Sequence, residues 1–323
     1  MLKKLINHAI VELTITPQDP LLIKSGQPTV GGVDMSFVRT QRRGGNPEPY
    51  IPGSSLKGVI RAYAERICRS LREQPVPVCL PYLKPEDQQG QAQGQASCGL
   101  RFEKYKKDQN INTIATETIY RLSCPVCRLC GSHNFIGRLA TTDAYVTDTP
   151  LLEIRDGVAI DRYTGGAAAR AKYDLEVLTR GTFATILEVR NFERWQLGLL
   201  GLVLRDMAAG LVRLGFGKSR GLGRIAMEIK AFKIITYNAQ PDYFCGLAAL
   251  VSPAERQAYG LFPESDQPRA QLPPPDTALL RSTYDITGTW QEVLNPAVAD
   301  LCQYIREVPW PQDIDAFTRG GGR

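Results

Sequence analysis

Four glycines within nine residues, Gly215-Phe216-Gly217-Lys218-Ser219-Arg220-Gly221-Leu222-Gly223, constrain this chain more than any other segment. Before them, Trp195, Leu199, Leu202, Met207, Leu211 and Leu214 recur at helical spacing across residues 194–214. After them, Ile225, Met227 and Ile229 alternate with Ala226, Glu228 and Lys230, as a half-buried strand does. The chain must therefore leave a helix, turn tightly and enter a strand inside this run. Glycine supplies the positive φ and the close backbone approach that such a turn needs. The same freedom bares amides that, with Lys218, Ser219 and Arg220, suit a phosphate oxygen. A nucleotide-binding P-loop is excluded, because that motif follows a strand and opens a helix. Taken alone, the run also fits a plain turn with solvated charges.

The other elements fit around this turn. Residues 9–16 alternate as a strand, and Ser54 and Ser55 precede Leu56, Val59, Ile60, Tyr63, Ile67 and Leu71, an amphipathic helix with a serine N-cap. Residues 138–146, 151–160 and 182–190 read as strands. Residues 165–179 read as a short helix or a projecting loop. The resulting order is the β-α-β-β-α-β of a ferredoxin-like (RRM-like) α+β domain. This core is expected over residues 1–236, with an insertion at 74–136 whose centre, Gln89 to Gln95, is low in complexity. Residues 237–323 are proline-rich, carry one weak helix near Leu301, and are expected to wrap the core or contact a neighbour. No apolar run is long enough to span a membrane and no signal peptide is evident, so a soluble, cytoplasmic protein is expected. The net charge of +6 favours an anionic partner only where the cations cluster.

Three further clusters carry chemistry. In Pro52-Gly53-Ser54-Ser55-Leu56-Lys57-Gly58-Val59-Ile60-Arg61, serines open a helix whose free amides and dipole suit an anion, and Lys57 and Arg61 share a face. The loop Val30-Gly31-Gly32-Val33-Asp34 carries an aspartate that is either a turn residue or an acid set against a scissile phosphate, with magnesium or another divalent ion borrowing substrate oxygens. Cys124-Pro125-Val126-Cys127 has the spacing of a structural zinc knuckle. Cys98 and Cys130 are the expected third and fourth ligands, with Cys79 and His133 in reserve.

Together these clusters resemble the RAMP superfamily, specifically the repeated backbone subunit of type III CRISPR RNA-guided effector complexes. The matching pieces are Gly31 to Asp34, Tyr50-Ile51-Pro52-Gly53-Ser54-Ser55-Leu56-Lys57-Gly58 with Arg61, Cys127 to Ser132, Gly137-Arg138-Leu139 with Asp143-Ala144-Tyr145, Ile160 to Gly165, and Gly217 to Gly223. The resemblance implies a guide-RNA groove formed by Ser54, Ser55, Lys57, Arg61, Gly217, Lys218, Ser219, Arg220 and Gly221. It also implies a thumb at 161–180 that distorts the guide–target duplex, and Asp34 as the residue supporting cleavage of the target RNA, with the RNA's own 2′-hydroxyl as nucleophile. Other type III subunits would be partners. The length of the insertion and of the C-terminal stretch points to a variant subtype, such as III-D. Cys130 stands where the family commonly has phenylalanine, so it reads either as a zinc ligand or as a core residue. Two other functions remain open: a purely structural guide-RNA-binding subunit, and a stand-alone endoribonuclease for precursor guide RNA that would need His8 or His133.

Overall fold

The computed structural model describes residues 3–26, 32–42, 44–87, 95–265 and 269–310. Gly31, most of the glutamine-rich stretch and the terminal glycines lie outside the described residues. One antiparallel sheet organises the chain. Its central strands are β1 (Asn7–Pro17), β10 (Phe183–Arg190) and β11 (Ile225–Tyr237), with β1 in the middle. The alternation of the sequence becomes register here: Ala9 faces Val189, Val11 faces Leu187 and Ile15 faces Phe183, and all six are fully buried. β11 needs one correction to its parity. A bulge at Lys230, opposite the Glu12/Leu13 step, switches the inward set from Ile225, Met227 and Ile229 to Phe232 and Ile234. Without that extra residue the two halves of the strand would put their apolar side chains on opposite faces.

The chain leaves β1, forms the short β2 (Arg39–Thr40) and β3 (Glu48–Ile51), and enters α1 (Gly53–Leu71). An inserted helical segment follows, with α2 (Cys98–Asp108), α3 (Thr116–Arg121) and α4 (Pro125–Cys130), then the small β4 (Gly131–Ser132) and β5 (Phe135–Ile136) pair. The single strand expected at 138–146 is two, β6 (Leu139–Thr141) and β7 (Ala144–Val146), which pair with β10 on either side of a break at Thr142 and Asp143.

Residues expected to form a short helix or loop at 165–179 instead belong to β9 (Ala167–Arg180), which pairs with β8 (Leu151–Ile160) in a separate two-stranded hairpin. Tyr173, Leu175 and Val177 alternate along β9, and its backbone also pairs with Leu21 and Met35, so ladder bonds override the alanine-rich start.

α5 (Arg194–Ala208) is buried almost all round, because the sheet covers one side and α8 (Trp290–Glu307) another. It stops at Ala208 rather than Leu214, since Gly210 takes a left-handed φ of +73° and closes the helix. The helix near Leu301 is an 18-residue element. A Cβ at Gly198 would collide with the backbone of Ala297, so α5 and α8 touch at backbone distance. Arg194 and Asp300 seal the contact with a buried two-pronged ion pair at 2.6 and 2.9 Å. Between the two helices lie the short α6 (Leu247–Leu250) and α7 (Pro253–Tyr259), and β12 (Asp276–Ala278) with β13 (Arg281–Asp285), which extends the sheet beyond β11. No helix among the described residues is long and apolar enough to cross a membrane.

Candidate nucleic-acid interface and cysteine cluster

The glycine run forms a rigid turn. All four glycines have positive φ, from +69° to +84°. Phe216 donates its amide to Leu22 O and Gly223 donates to Pro20 O, which fasten the turn to the segment after β1. Lys218, Ser219, Arg220 and Gly221 stay exposed. Between this turn and α1 lies a cleft of about 450 Å³, lined among others by Lys24, Ser55, Gly58, Phe216 and Lys218. Phe216 stands between two cations, Lys24 Nζ at 5.4 Å and the Arg220 guanidinium at 5.1 Å from its ring centre. Burial and the nearby Arg66 hold the Lys218 ammonium below its ordinary range. Among the described residues, no carboxylate pairs with Lys24, Lys218 or Arg220. An aromatic face flanked by unpaired cations at a backbone turn is the chemistry of a nucleic-acid strand site. Lys24 and Phe216, which line this cleft, were not among the expected residues; an aromatic inside a glycine turn was the available signal.

The N-terminus of α1, the expected anion site, is not capped by a serine as the sequence suggested. Pro52 occupies the cap position, and neither serine makes a side-chain cap. The Asp143 carboxylate accepts the Gly53 amide at 2.7 Å, and Pro52 O accepts the amides of Ser55 and Leu56. The Gly53 and Ser55 amides are thus answered from within the chain, while the Ser54 amide has no acceptor among the described residues. Ser55 still lines the cleft, and Ser54 is exposed. Lys57 and Arg61 do share a face, but they border a different hollow, with Cys130, Ser132 and His133. Arg61 points inward: its Nη2 donates to Cys127 Sγ at 3.2 Å, and its Nη1 to Gly131 O at 2.9 Å. The structure therefore removes Arg61 from the free cations of the groove.

Four sulfurs converge, those of Cys79, Cys98, Cys124 and Cys127, within 4.8 Å of one another. All four cysteines are at most 1% exposed. Cys79 Sγ is 3.6 Å from Cys127 Sγ and 3.7 Å from Cys124 Sγ. A disulfide would bring two sulfurs to about 2.05 Å. A tetrahedral zinc with Zn–S bonds of about 2.3 Å sets its sulfurs about 3.8 Å apart, so the spacing fits a metal such as zinc. Cys124 caps α4 and accepts the Cys127 amide, the turn that aims both sulfurs at one point. Burial opposes ionisation at Cys124, yet contacts from the other three thiols hold it well below the usual thiol range. Cys130 is corrected out of the ligand set and Cys79 takes its place. One turn beyond Cys127, Cys130 is buried but lies outside the convergent group, and burial pushes its thiol up to about 12.

Asp34 lies exposed beside the middle of the β8–β9 hairpin. Its loop runs alongside β9: Met35 donates to Asp174 O, Glu176 donates back to Met35 O, and Glu176 accepts from Phe37 N and from Arg39. Asp34 Oδ2 accepts the Asp174 amide at 3.1 Å. Asp174 faces Asp156 across the hairpin, and contact with Asp156, then burial, raises its carboxyl above the ordinary range. These acids do not converge into a ligand set; among the described residues only the cysteines do. Arg220 reaches the same strand at 3.3 Å from Tyr173 Oη, so the glycine turn and the Asp34 loop meet on β9. His8 faces Glu188 at 3.5 Å, on the sheet, and His133 borders the cysteine side; neither lines the cleft.

A family model described as RAMPs, the RAMP superfamily, matches residues 14–226. Comparison with curated proteins gives no match.

Proposed function

The chain belongs to the RAMP superfamily, and from that premise we propose that it is a CRISPR-associated, guide-RNA-binding backbone subunit of a type III interference complex. The observation that carries this reading is the cleft between the glycine turn and α1, lined by Lys24, Phe216 and Lys218, with Arg220 also over the Phe216 ring and none of these cations holding a carboxylate partner among the described residues. Such a surface grips phosphates and stacks bases without reading sequence, which suits a subunit whose specificity comes from base pairing. The strand order β11-β1-β10 followed by β6 and β7 is the last-first-third-second order of a ferredoxin-like core, and it supports that fold for residues 1–236. In this reading the 237–323 stretch is an addition to the core, and the 161–180 thumb takes in the tip of the β8–β9 hairpin and the whole of β9. The cysteine cluster holds a structural zinc.

Asp34, fixed beside β9 near the thumb, would orient the target strand's 2′-hydroxyl for in-line attack on the adjacent phosphate. No step is assigned to a metal there. The non-catalytic reading has one observation in its favour: the Asp34 carboxylate is already engaged by the Asp174 amide. Binding of single-stranded RNA to Lys218→Ala and Arg220→Ala tests the groove. Affinity and salt dependence equal to wild type in both variants would refute it. Asp34→Ala in the assembled complex tests cleavage, with loss of one cut and intact guide binding expected.

A further inference from the structure

Arg61 stands where the cysteine cluster meets the groove helix, and the RNA reading leaves it without a task. Its guanidinium forks three ways: to Glu65 Oε1 at 3.1 Å on its own helix, to Gly131 O at 2.9 Å and to Cys127 Sγ at 3.2 Å. Gly131 closes α4, which carries the Cys124 and Cys127 turn. One side chain therefore ties α1 to both the backbone and a sulfur of the knuckle. One turn earlier, α1 contributes Ser55 and Gly58 to the wall of the RNA cleft. A zinc ion on four thiolates carries a net charge of about −2. Here that charge sits among cysteines that are at most 1% exposed, and a buried charge persists only with a cation and hydrogen bonds to answer it. Arg61 supplies both to Cys127.

We propose that Arg61 is a positioning residue that clamps the metal centre to α1, so that metal loading and RNA binding are coupled through it. The RNA half rests on the groove reading; the metal half does not. Coupling of this kind is reciprocal: what metal does for RNA affinity, RNA does for metal affinity.

Zinc transfer from the full chain to the chelator 4-(2-pyridylazo)resorcinol tests both halves. Loss of a group that supports a ligand from outside the coordination sphere weakens metal affinity about 10–100-fold. Arg61→Met is expected to give up zinc in that range more readily, with Arg61→Lys, which keeps charge but not the fork, between it and wild type. A cobalt-loaded sample of Arg61→Met should show a shifted thiolate-to-cobalt absorption band. A single-stranded RNA of about two phosphate-groove lengths should slow zinc release from wild type and leave Arg61→Met unaffected. Wild-type zinc retention in Arg61→Met overturns the clamp. If that variant does not fold, Arg61→Lys decides, and unchanged release there overturns it. RNA that binds wild type, shown in the same samples, without slowing its zinc release overturns the coupling. RNA that does not bind at all refutes the groove reading, and the zinc arm alone then judges Arg61.

Discussion

Replacing Cys79 by serine and, separately, Cys130 by serine opposes the cluster geometry to the spacing of the sequence. The sulfur of Cys79 is 3.6 and 3.7 Å from those of Cys127 and Cys124, whereas Cys130 lies outside the group that converges within 4.8 Å. Structural zinc contributes about 10–16 kcal/mol of folding free energy. One thiolate in four then carries about 2.5–4 kcal/mol, which is ~10²–10³ in metal affinity. Cys79→Ser is expected to lose zinc at that level and to melt at lower temperature. Cys130→Ser places a hydroxyl in a buried site and costs about 1–3 kcal/mol, but it keeps one zinc per chain. Metal content by mass spectrometry after dialysis, with thermal melts on the same samples, reads both effects. Zinc lost from Cys130→Ser and kept by Cys79→Ser would refute the assignment.

Three further outcomes are expected. Removing Lys218 or Arg220 should each flatten the dependence of log K on log salt for single-stranded RNA by about 0.7, as read by fluorescence anisotropy across a salt series. Gly223→Ala adds a Cβ that collides with Leu214 O at a φ of +84°, and Gly221→Ala, at +79°, meets open space; melts should show the first well below the second, which carries only the left-handed penalty of about 1–2 kcal/mol. The Arg39 ion pair, more than burial opposes it, depresses the Glu176 carboxyl, aided by the Phe37 amide. A depressed carboxyl stabilises above its unfolded pKa and loses that contribution as pH falls through the folded value. Protection of the Asp34 loop amides, measured by hydrogen exchange relative to the intrinsic rate at each pH, should therefore fall below about pH 4.3, and Glu176→Gln should remove that pH dependence.

The central strands were legible because each buries one face, so Ala9 to Ile15 and Phe183 to Val189 had to alternate. The α1 stripe was legible for the same reason at helical period. Strand β8 was legible at 151–160, but its partner β9 was not, because Ala167, Ala169 and Lys172 are exposed and no buried face marks a period before Val177. Within the site, the glycine turn was readable from composition alone. Cys79 was harder, since it precedes Cys124 by a long polar insertion and no spacing rule spans that distance. Asp143 was hidden for a related reason, as it answers a helix end that begins 90 residues earlier. Contacts of this range depend on the sheet that brings β7 beside β3, and local pattern cannot contain them.

Asp143 also has a consequence for how a strand would be held. A helix end that keeps its amides open fixes a phosphate by direction as well as charge, and so enforces one register. Here one of those amides, that of Gly53, is taken by the chain's own acid. On the proposed reading, purchase on the strand would rest largely on the long ammonium and guanidinium arms around an aromatic ring, which can follow a phosphate over several ångströms. Such a grip tolerates sliding. Register along a strand would then have to be set by whatever lies at either end of the subunit, not by the subunit's own cleft.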